Sequence, residues 1–383
     1  MERIPEIDGL RALAALSVFA SHAFAFTLVR VTGAGWIGVD LFFVISGYLI
    51  TTILLGMRGS SHYFKNFYMR RTLRIFPPYY ALLVLCLLCG VFVRNYHVDW
   101  RLWLTYVLYG SSLTAVQPWY LAASAQPGLA NSIQLNWSLS IEEIFYLLWA
   151  PAVRFLRVRH LFLLVISVIF AAPLVRWYLH SPAQSIEYYF FPARMDTLAL
   201  GSLLALLRHS GRSFHVPGWL PLAGLAVPLA LLLRIPAPRG GVFFAVFGYT
   251  LLAIAMALVV AFVLDRSATA HPICRVLRSR LLVRLGTISY MFYLIHLFVF
   301  RVVTESFSNF VLSHGGPTRL TGSIVAMVSL AVTVLVAELS WRYFESPILS
   351  LKSRFGSRQT KSKVTTQSRE AFVPSLTSVP QED

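Results

Sequence analysis

Residues 66–80 read NFYMRRTLRIFPPYY, with three arginines (Arg70, Arg71 and Arg74) directly before an apolar run that begins near Pro78. Basic side chains at the edge of an apolar run are typical of the cytoplasmic end of a transmembrane helix. A fixed cluster of guanidinium groups at that edge either anchors the helix end or binds an anion. The stretch therefore predicts a membrane-embedded chain and leaves the role of its arginines open.

Apolar residues dominate the rest of the chain. Of its 383 residues, 57% are hydrophobic and only 13% are charged, and the mean hydropathy is +0.67. Apolar runs of roughly 18 to 24 residues recur along it, and about 20 residues are needed to cross a bilayer as a helix. The sequence does not show the alternating pattern that is typical of outer-membrane barrels. The composition predicts an all-α polytopic membrane protein.

Ten transmembrane helices and one shorter segment fit this pattern. The shorter segment, residues 99–112, is followed by an uncharged loop (113–139), whereas Arg154, Arg157 and Arg159 indicate the next cytoplasmic loop. These assignments agree only if residues 99–112 do not cross, so we predict a re-entrant or interfacial segment there. The ten predicted spans are residues 7–29, 36–55, 78–93, 140–152, 160–178, 195–208, 217–234, 242–264, 285–303 and 321–344.

The net charge of +17 comes from basic residues that lie between the apolar runs. The positive-inside rule explains this excess more simply than a nucleic-acid partner, which we exclude. The same rule predicts that both termini of this multi-pass, lipid-surrounded protein lie in the cytoplasm, and we expect it in the cell inner (cytoplasmic) membrane. We divide the chain into a membrane domain, residues 1–349, and a polar cytoplasmic tail, residues 350–383, whose composition predicts disorder.

The cysteines give no sign of a metal site. Cys86 and Cys89 form a CxxC motif, but it lies inside an apolar run, and Cys274 is far away in the sequence. Without a second pair of ligands, packing explains these residues, and we expect neither a metal nor a disulfide framework.

Arg11 and His22 share one face of the first predicted helix. At about 100° per residue they are within about 20° of a whole number of turns, and they lie roughly 16 Å apart along the axis. An arginine at the cytoplasmic mouth and an imidazole in mid-membrane therefore lie on one line. An intramembrane histidine either makes a hydrogen bond between helices or acts as a general base, because neutral imidazole takes a hydroxyl proton near neutral pH.

Arg71 and Arg74 point the same way if their stretch is helical, because residues i and i+3 are neighbours on a helix surface. Two guanidinium groups together bind phosphate through charge-assisted hydrogen bonds. Anchoring of the helix end explains Arg58 and Lys65 equally well. For this pair the sequence alone leaves both interpretations open.

Three carboxylates are expected near the outer membrane face. Glu142 and Glu143 begin an inward-running helix, where the helix dipole accounts for one of them. Because two lie together, beside Trp137, we predict an opening that holds a polar acceptor. Asp40 is predicted near the same face.

Two further polar positions lie within predicted helices. His296 is about halfway along its helix, where it lines the same cavity or packs as a satisfied histidine, and we favour the cavity. Arg194 and Asp196 are predicted to form a local ion pair at the start of a helix.

Seven motifs that occur in order between residues 4 and 349 resemble, as a set, those of the membrane-bound acyltransferase type 3 family. Each motif alone is weak, whereas the ordered set is highly specific. The motifs are DGLRALAALSVFASH, GWIGVDLFFVISGYLI, FYMRRTLRIFPPYY, NWSLSIEEIFYLLWAP, FPARMDTLALGSLLA, ISYMFYLIH and WRYFESPIL.

The resemblance implies an integral-membrane O-acyltransferase. Such an enzyme moves an acyl group, usually acetyl, from cytoplasmic acyl-CoA to a hydroxyl of a carbohydrate or lipid-linked glycan, and so modifies a surface or exported polysaccharide. By motif, the family's essential histidine corresponds to His22, its first-helix arginine to Arg11, and its R-x-x-R pair to Arg71 and Arg74. Some relatives carry an additional C-terminal esterase-like domain, which we expect this chain to lack.

These correspondences assign expected roles, with acetyl-CoA as the donor and no metal. The residues expected to be catalytic are His22, Glu142 and Glu143; those expected to bind acyl-CoA are Arg11, Arg71 and Arg74; those expected to contact the acceptor are Asp40, Trp137 and His296. The alternative is a polytopic transporter of a small polar or glycan-linked substrate. That alternative predicts substrate movement without acyl-CoA and repeated halves, and no repeat is evident in the sequence.

Overall fold

The computed structural model describes residues 3–24, 35–90, 99–120, 133, 136–180, 186–212, 215–234, 241–267, 269–313 and 318–352, without the side chains of residues 227–229, 231–234 and 308–313. Every regular element within these ranges is helical, which confirms the predicted all-α class. The ends of the first and third predicted spans and the predicted tail beyond Lys352 lie outside the described residues.

Sixteen α-helices and two π-helical turns follow one another along the described chain. The α-helices are α1 Pro5–Ala23, α2 Ile37–Gly56, α3 Tyr63–Leu88, α4 Trp100–Val107, α5 Ser111–Thr114, α6 Trp137–Phe155, α7 Val158–Leu179, α8 Ile186–Tyr189, α9 Phe191–His209, α10 Trp219–Arg234, α11 Gly241–Phe243, α12 Tyr249–Arg266, α13 Pro272–Leu277, α14 Arg280–Ser313, α15 Arg319–Ser340 and α16 Ser346–Ser350. The π-helical turns are Phe244–Gly248 and Trp341–Glu345.

Six helical segments of the described ranges are long and apolar enough to cross a membrane, which confirms a multi-pass architecture. They are Ile37–Gly56, Tyr63–Leu88, Val158–Leu179, Gly241–Arg266, Arg280–Phe307 and Arg319–Ser350. Helices α1, α6 and α9 do not meet this description because each carries three Asp, Glu or Arg side chains. Helix α10 does not meet it because it has only 16 residues. The count of ten spans stays a prediction.

The segment predicted to be re-entrant or interfacial forms α4 and the start of α5. The Asp99 side chain caps α4 by accepting hydrogen bonds from the backbone N–H groups of Arg101, at 2.9 Å, and Leu102, at 3.3 Å. An eight-residue helix is about 12 Å long, whereas the hydrocarbon core of a bilayer is about 30 Å thick. Helix α4 is therefore too short to cross, in agreement with the prediction.

Helix α3 begins much earlier than its predicted start near Pro78. It runs continuously from Tyr63 and contains both Pro77 and Pro78. Prolines lack an N–H group, so they leave backbone carbonyls of the preceding turn without a helical donor. A side chain of α14 supports this region, since the Tyr290 hydroxyl donates to the carbonyl of Ile75 at 2.8 Å. The arginine cluster therefore lies on the same helix as the apolar run.

Helix α2 lies at the centre of the bundle, in contact with α1, α6, α9 and α12. Its closest approach is to α9, where a Cβ atom at Gly47 or at Gly201 would collide with the backbone of the other helix. Small residues at such crossings are typical of membrane helices. The Trp149 indole and the Ser202 hydroxyl both hydrogen bond to Thr51, at 2.8 and 2.9 Å. Both contacts converge on one hydroxyl group of α2, and α6 and α9 also contact each other.

Candidate active site

A cavity of about 170 Å³ lies between α1, α2, α3, α6 and α14. One wall is apolar and is formed largely by α2. The opposite walls carry three of the residues predicted from sequence, Arg11 of α1 and Arg71 and Arg74 of α3. The expectation that Arg71 and Arg74 share a helix face is thus confirmed, and α1 brings Arg11 to them.

The three cavity arginines carry charge that no carboxylate neutralises by direct contact. Among the described residues, no Asp or Glu oxygen lies within ion-pair distance of Arg11, Arg71 or Arg74. The Arg71 guanidinium instead lies 5.0 Å from the centre of the Tyr146 ring. Like charges held together in a partly closed space create a strongly positive potential, which favours an anionic ligand.

Glu142 lies in the same cavity as the arginines. Its two carboxylate oxygens accept hydrogen bonds from the Ser46 hydroxyl, at 2.6 Å, and from the Tyr146 hydroxyl, at 3.0 Å. The sequence predicts this carboxylate at an outer opening that holds the acceptor, whereas in the structure it lies in the same cavity as the guanidinium groups. Glu143 is not part of the cavity wall, and its Oε1 atom is buried without a hydrogen-bond partner among the described residues.

Lys352 is a cationic residue near this site that the sequence did not identify. It follows α16, and both α16 and the preceding π-helical turn pack against α3. Burial, together with the positive charges of Arg74, Arg71 and Arg70, lowers the pKa of Lys352 to about 8. The end of the described chain therefore adds a fourth cation next to the arginines of α3.

His22 and His296 lie next to each other, and neither is part of the cavity wall. Their ring centres are 5.6 Å apart. The connection to the cavity is Tyr293, whose ring lines it and lies 5.8 Å from that of His296. The Tyr293 hydroxyl also shares a hydrogen bond of 2.7 Å with Ser138, another residue of the wall. The histidine pair thus adjoins one side of the cavity.

The predicted local ion pair between Arg194 and Asp196 is wrong. Arg194 donates to Asp40 at 2.5 Å, and Asp196 accepts from Arg176 at 2.9 Å. Residues two positions apart on a helix point in different directions, so each of the two reaches a different neighbouring helix. All four side chains are fully buried. Asp40 therefore belongs to a structural ion pair and does not line the cavity.

Trp137, predicted to contact the acceptor, is packed in an aromatic cluster. Its ring lies 4.7 Å from that of Tyr188, 5.3 Å from that of Tyr189 and 6.1 Å from that of Phe43. Only 4% of its surface is exposed. Phe43 lines the cavity, so Trp137 supports the wall from behind.

Several polar residues of the wall were not identified from sequence, namely Ser46, Ser138, Ser289, Tyr290 and Tyr293. Serine and tyrosine are common in membrane helices, so their presence alone carries little information. Their spacing could have identified some of them. One face of α6 carries a polar residue every four positions, namely Ser138, Glu142 and Tyr146. This pattern predicts a polar stripe on an otherwise apolar helix.

The fold and the site together define a multi-pass membrane protein with a cavity lined by three arginines next to a histidine pair. The family model described as an acyltransferase domain matches residues 4–338, and the chain belongs to the acyltransferase type 3 family. This membership favours an enzyme over the transporter alternative. No solved structure matches the chain.

Curated relatives carry names that refer to O-acetyl transfer. The chain is 29% identical over 376 residues to peptidoglycan O-acetyltransferase OatA of Listeria monocytogenes, covering 90% of this chain and 56% of the relative. It is 29% identical to the putative peptidoglycan O-acetyltransferase YrhL of Bacillus subtilis, covering 93% and 56%. It is 26% identical to O-acetyltransferase OatA of Staphylococcus aureus, covering 90% and 57%. The chain thus spans a little over half the length of these relatives.

Proposed function

We propose that the protein is an integral-membrane O-acyltransferase that moves an acyl group, in the simplest case acetyl, from cytoplasmic acyl-CoA to a hydroxyl of a carbohydrate or lipid-linked glycan. One observation carries this proposal: three arginines from two helices line one cavity, and none of them forms an ion pair with a carboxylate of the described residues. Coenzyme A is a fitting ligand because its phosphates present several negative charges at one end. Guanidinium groups bind phosphate oxygens in bidentate fashion.

In this proposal Arg11, Arg71 and Arg74 bind the phosphates at the cytoplasmic side of the inner membrane, and Lys352 contributes a further positive charge. Both termini are then cytoplasmic. The pantetheine arm extends from the arginines into the membrane and carries the thioester toward His22. The face shared by Arg11 and His22 along α1 supports this route.

His22 is proposed as the general base. It takes the proton of the acceptor hydroxyl while that oxygen attacks the thioester carbonyl, so that the new C–O bond replaces the C–S bond. The protonated imidazole then returns the proton to the departing CoA thiolate. In a variant of this reaction His22 accepts the acyl group first and passes it on. Glu142, held by Ser46 and Tyr146, lies in the same cavity and offsets part of the positive charge of the arginines.

The acceptor is proposed to be a hydroxyl of a cell-envelope glycan, and a peptidoglycan sugar is the first candidate. The names of the relatives from Listeria and Bacillus support this choice. The surface loops between the helices, rather than the cavity wall, would then select among acceptors.

Mass spectrometry of surface glycans from a deletion strain tests the function. We expect an acyl mass on one sugar to disappear, and to return with the wild-type gene but not with His22→Ala or with Arg71→Ala combined with Arg74→Ala. Lys65→Ala is the matched control, because Lys65 is an exposed cation of the same helix outside the cavity. An unchanged glycan profile in the deletion strain, or full acylation by the His22 variant, would refute the proposal.

A further inference from the structure

We propose that His296 is a positioning residue that accepts a hydrogen bond from one imidazole N–H of His22 and thereby leaves the other His22 nitrogen free to act as the base. This inference rests on the proposed function, in which His22 takes the acceptor proton. It assigns His296 to the base itself and not to the acceptor site predicted from sequence.

The tautomer of His296 follows from its own hydrogen bond. Its Nδ1 atom lies 2.7 Å from the backbone carbonyl oxygen of Tyr293. A carbonyl oxygen only accepts hydrogen bonds, so Nδ1 carries the hydrogen, and in the neutral ring Nε2 is then an acceptor. The side chain is 1% exposed, and within the described chain Nε2 has no hydrogen-bond partner. A buried acceptor in this state is destabilising until a donor reaches it.

His22 is the neighbouring ring that can supply this donor. Two imidazoles joined by an N–H···N hydrogen bond of about 3 Å have ring centres roughly 5 Å apart, and these two are separated by 5.6 Å. Phe19 and Phe292 also contact His296, at 6.2 and 6.3 Å between ring centres, but neither carries an N–H group. A small rotation of His22 therefore completes the pair.

The aromatic neighbours hold the acceptor in a fixed plane. The Phe292 ring is nearly parallel to that of His296, with 12° between the two planes. With Nδ1 bound to the backbone and one face covered by Phe292, the His296 ring has little freedom to turn. A fixed acceptor is what selects one tautomer and one orientation of a general base.

The pair also suits the interior of a membrane. When His22 takes the hydroxyl proton, its N–H bond to His296 becomes charge-assisted and therefore stronger, so the pair stabilises the imidazolium as it forms. A carboxylate would do the same, but an ionised carboxylate away from water is costly before the reaction begins. A neutral histidine avoids this cost in the resting enzyme.

Steady-state kinetics of three variants test this inference. Purified protein in lipid nanodiscs is supplied with acetyl-CoA and with surface glycan isolated from the deletion strain as the acceptor. We expect His296→Phe to lower kcat by about 100-fold, with the KM for acetyl-CoA unchanged because the arginines remain. The amide oxygen of His296→Gln provides an acceptor near the Nε2 position. We therefore expect the kcat of His296→Gln to be at least tenfold higher than that of His296→Phe. His209→Phe, the same change at an exposed histidine, is the control.

The outcomes separate this inference from the proposed function. Full turnover by His296→Phe, with His22→Ala inactive, would overturn the pairing and leave the function standing. Equal loss in His296→Phe and His296→Gln, with both proteins binding acetyl-CoA normally, would also overturn it, because an acceptor at this position would then be of no use. Transfer by His22→Ala would instead refute the function.

Discussion

The molecule uses the arginines inside its helical bundle in two ways, and the difference lies in what surrounds them. Arg176 and Arg194 are fully buried, and each pairs with an aspartate of another helix, at 2.9 and 2.5 Å. Arg11, Arg71 and Arg74 instead line one cavity, and in the described part of the chain no Asp or Glu lies within ion-pair distance of them. The first group is charge-paired within the protein, whereas the second leaves its positive charge facing the cavity. Burial of an arginine alone therefore does not indicate a binding site.

Arg176 shows how complete this internal satisfaction is. Its Nε donates to the carbonyl of Val246 at 2.9 Å, its Nη1 to that of Ala193 at 2.5 Å, and its Nη2 to both Asp196 and Thr250. A charge in a membrane interior is tolerated when its partners replace water in this manner. Such a residue joins three helices, and each of its three guanidinium nitrogens already donates to the protein.

The largest effect that we predict is on stability, at Arg176. Arg176→Met leaves Asp196 buried without its cation, and breaking a buried pair in this way costs about 3–5 kcal/mol. Arg74→Met removes one of several like charges and separates no ion pair, so it should leave the free energy of unfolding unchanged or raise it. Thermal unfolding of both purified variants in the same detergent measures the difference.

The same two variants should differ in the opposite sense in their affinity for acetyl-CoA, with Arg74→Met the more strongly affected. Arg74→Met should weaken binding by about 10- to 100-fold, the value of a hydrogen bond to a charged group, whereas any folded Arg176→Met protein should bind normally. If thermal unfolding shows that Arg74→Met is destabilised as much as Arg176→Met, the cavity arginines are structural in the same way as the ion-paired arginines, and the distinction between the two groups is refuted.

A second prediction concerns the pair of Asp40 and Arg194, which leaves three atoms unsatisfied. Asp40 Oδ2 and Arg194 Nε and Nη1 are buried without hydrogen-bond partners within the described residues. Because this pair is incompletely satisfied, we expect Asp40→Leu combined with Arg194→Met to be less destabilising than either single change, by about 1–3 kcal/mol. The measurement is a double-mutant cycle of thermal unfolding. A double variant as unstable as the sum of the single variants would contradict this.

From the sequence, we could predict which side chains share a face of one helix, but not which side chains of different helices contact each other. The shared face of Arg71 and Arg74 follows from helix geometry alone, and the structure shows it. The pairing of Arg194 with Asp40 could not be predicted, because it depends on where α9 lies against α2, and the close packing of Gly47 and Gly201 sets that position. The contact between His22 and His296 likewise depends on the packing of α1 against α14. The motifs identified the family without giving these contacts.

A third prediction tests whether charge alone suffices in the cavity. Arg71→Lys and Arg74→Lys keep the charge but lose the planar fork that binds two phosphate oxygens at once. We expect each to weaken acetyl-CoA binding by about tenfold, or 1.4 kcal/mol, with unchanged thermal stability. Isothermal titration with acetyl-CoA measures the affinity, and Lys65→Arg on the same helix is the control. Unchanged affinity in both lysine variants would mean that only the positive potential matters.

The smallest effect that we predict is the pH dependence contributed by Lys352. Burial and the neighbouring arginines lower the pKa of Lys352 to about 8, so the free protein loses this charge as the pH rises through that value. A bound phosphate raises the pKa again, because it favours the charged form. Binding then takes up a proton above pH 8, and the affinity for acetyl-CoA should fall several-fold between about pH 7 and pH 9. Lys352→Arg stays charged throughout and should remove this decline. Because the phosphates themselves titrate alike in both proteins, a decline of equal size in Lys352→Arg would exclude Lys352 from the site and leave the three cavity arginines as the whole of it.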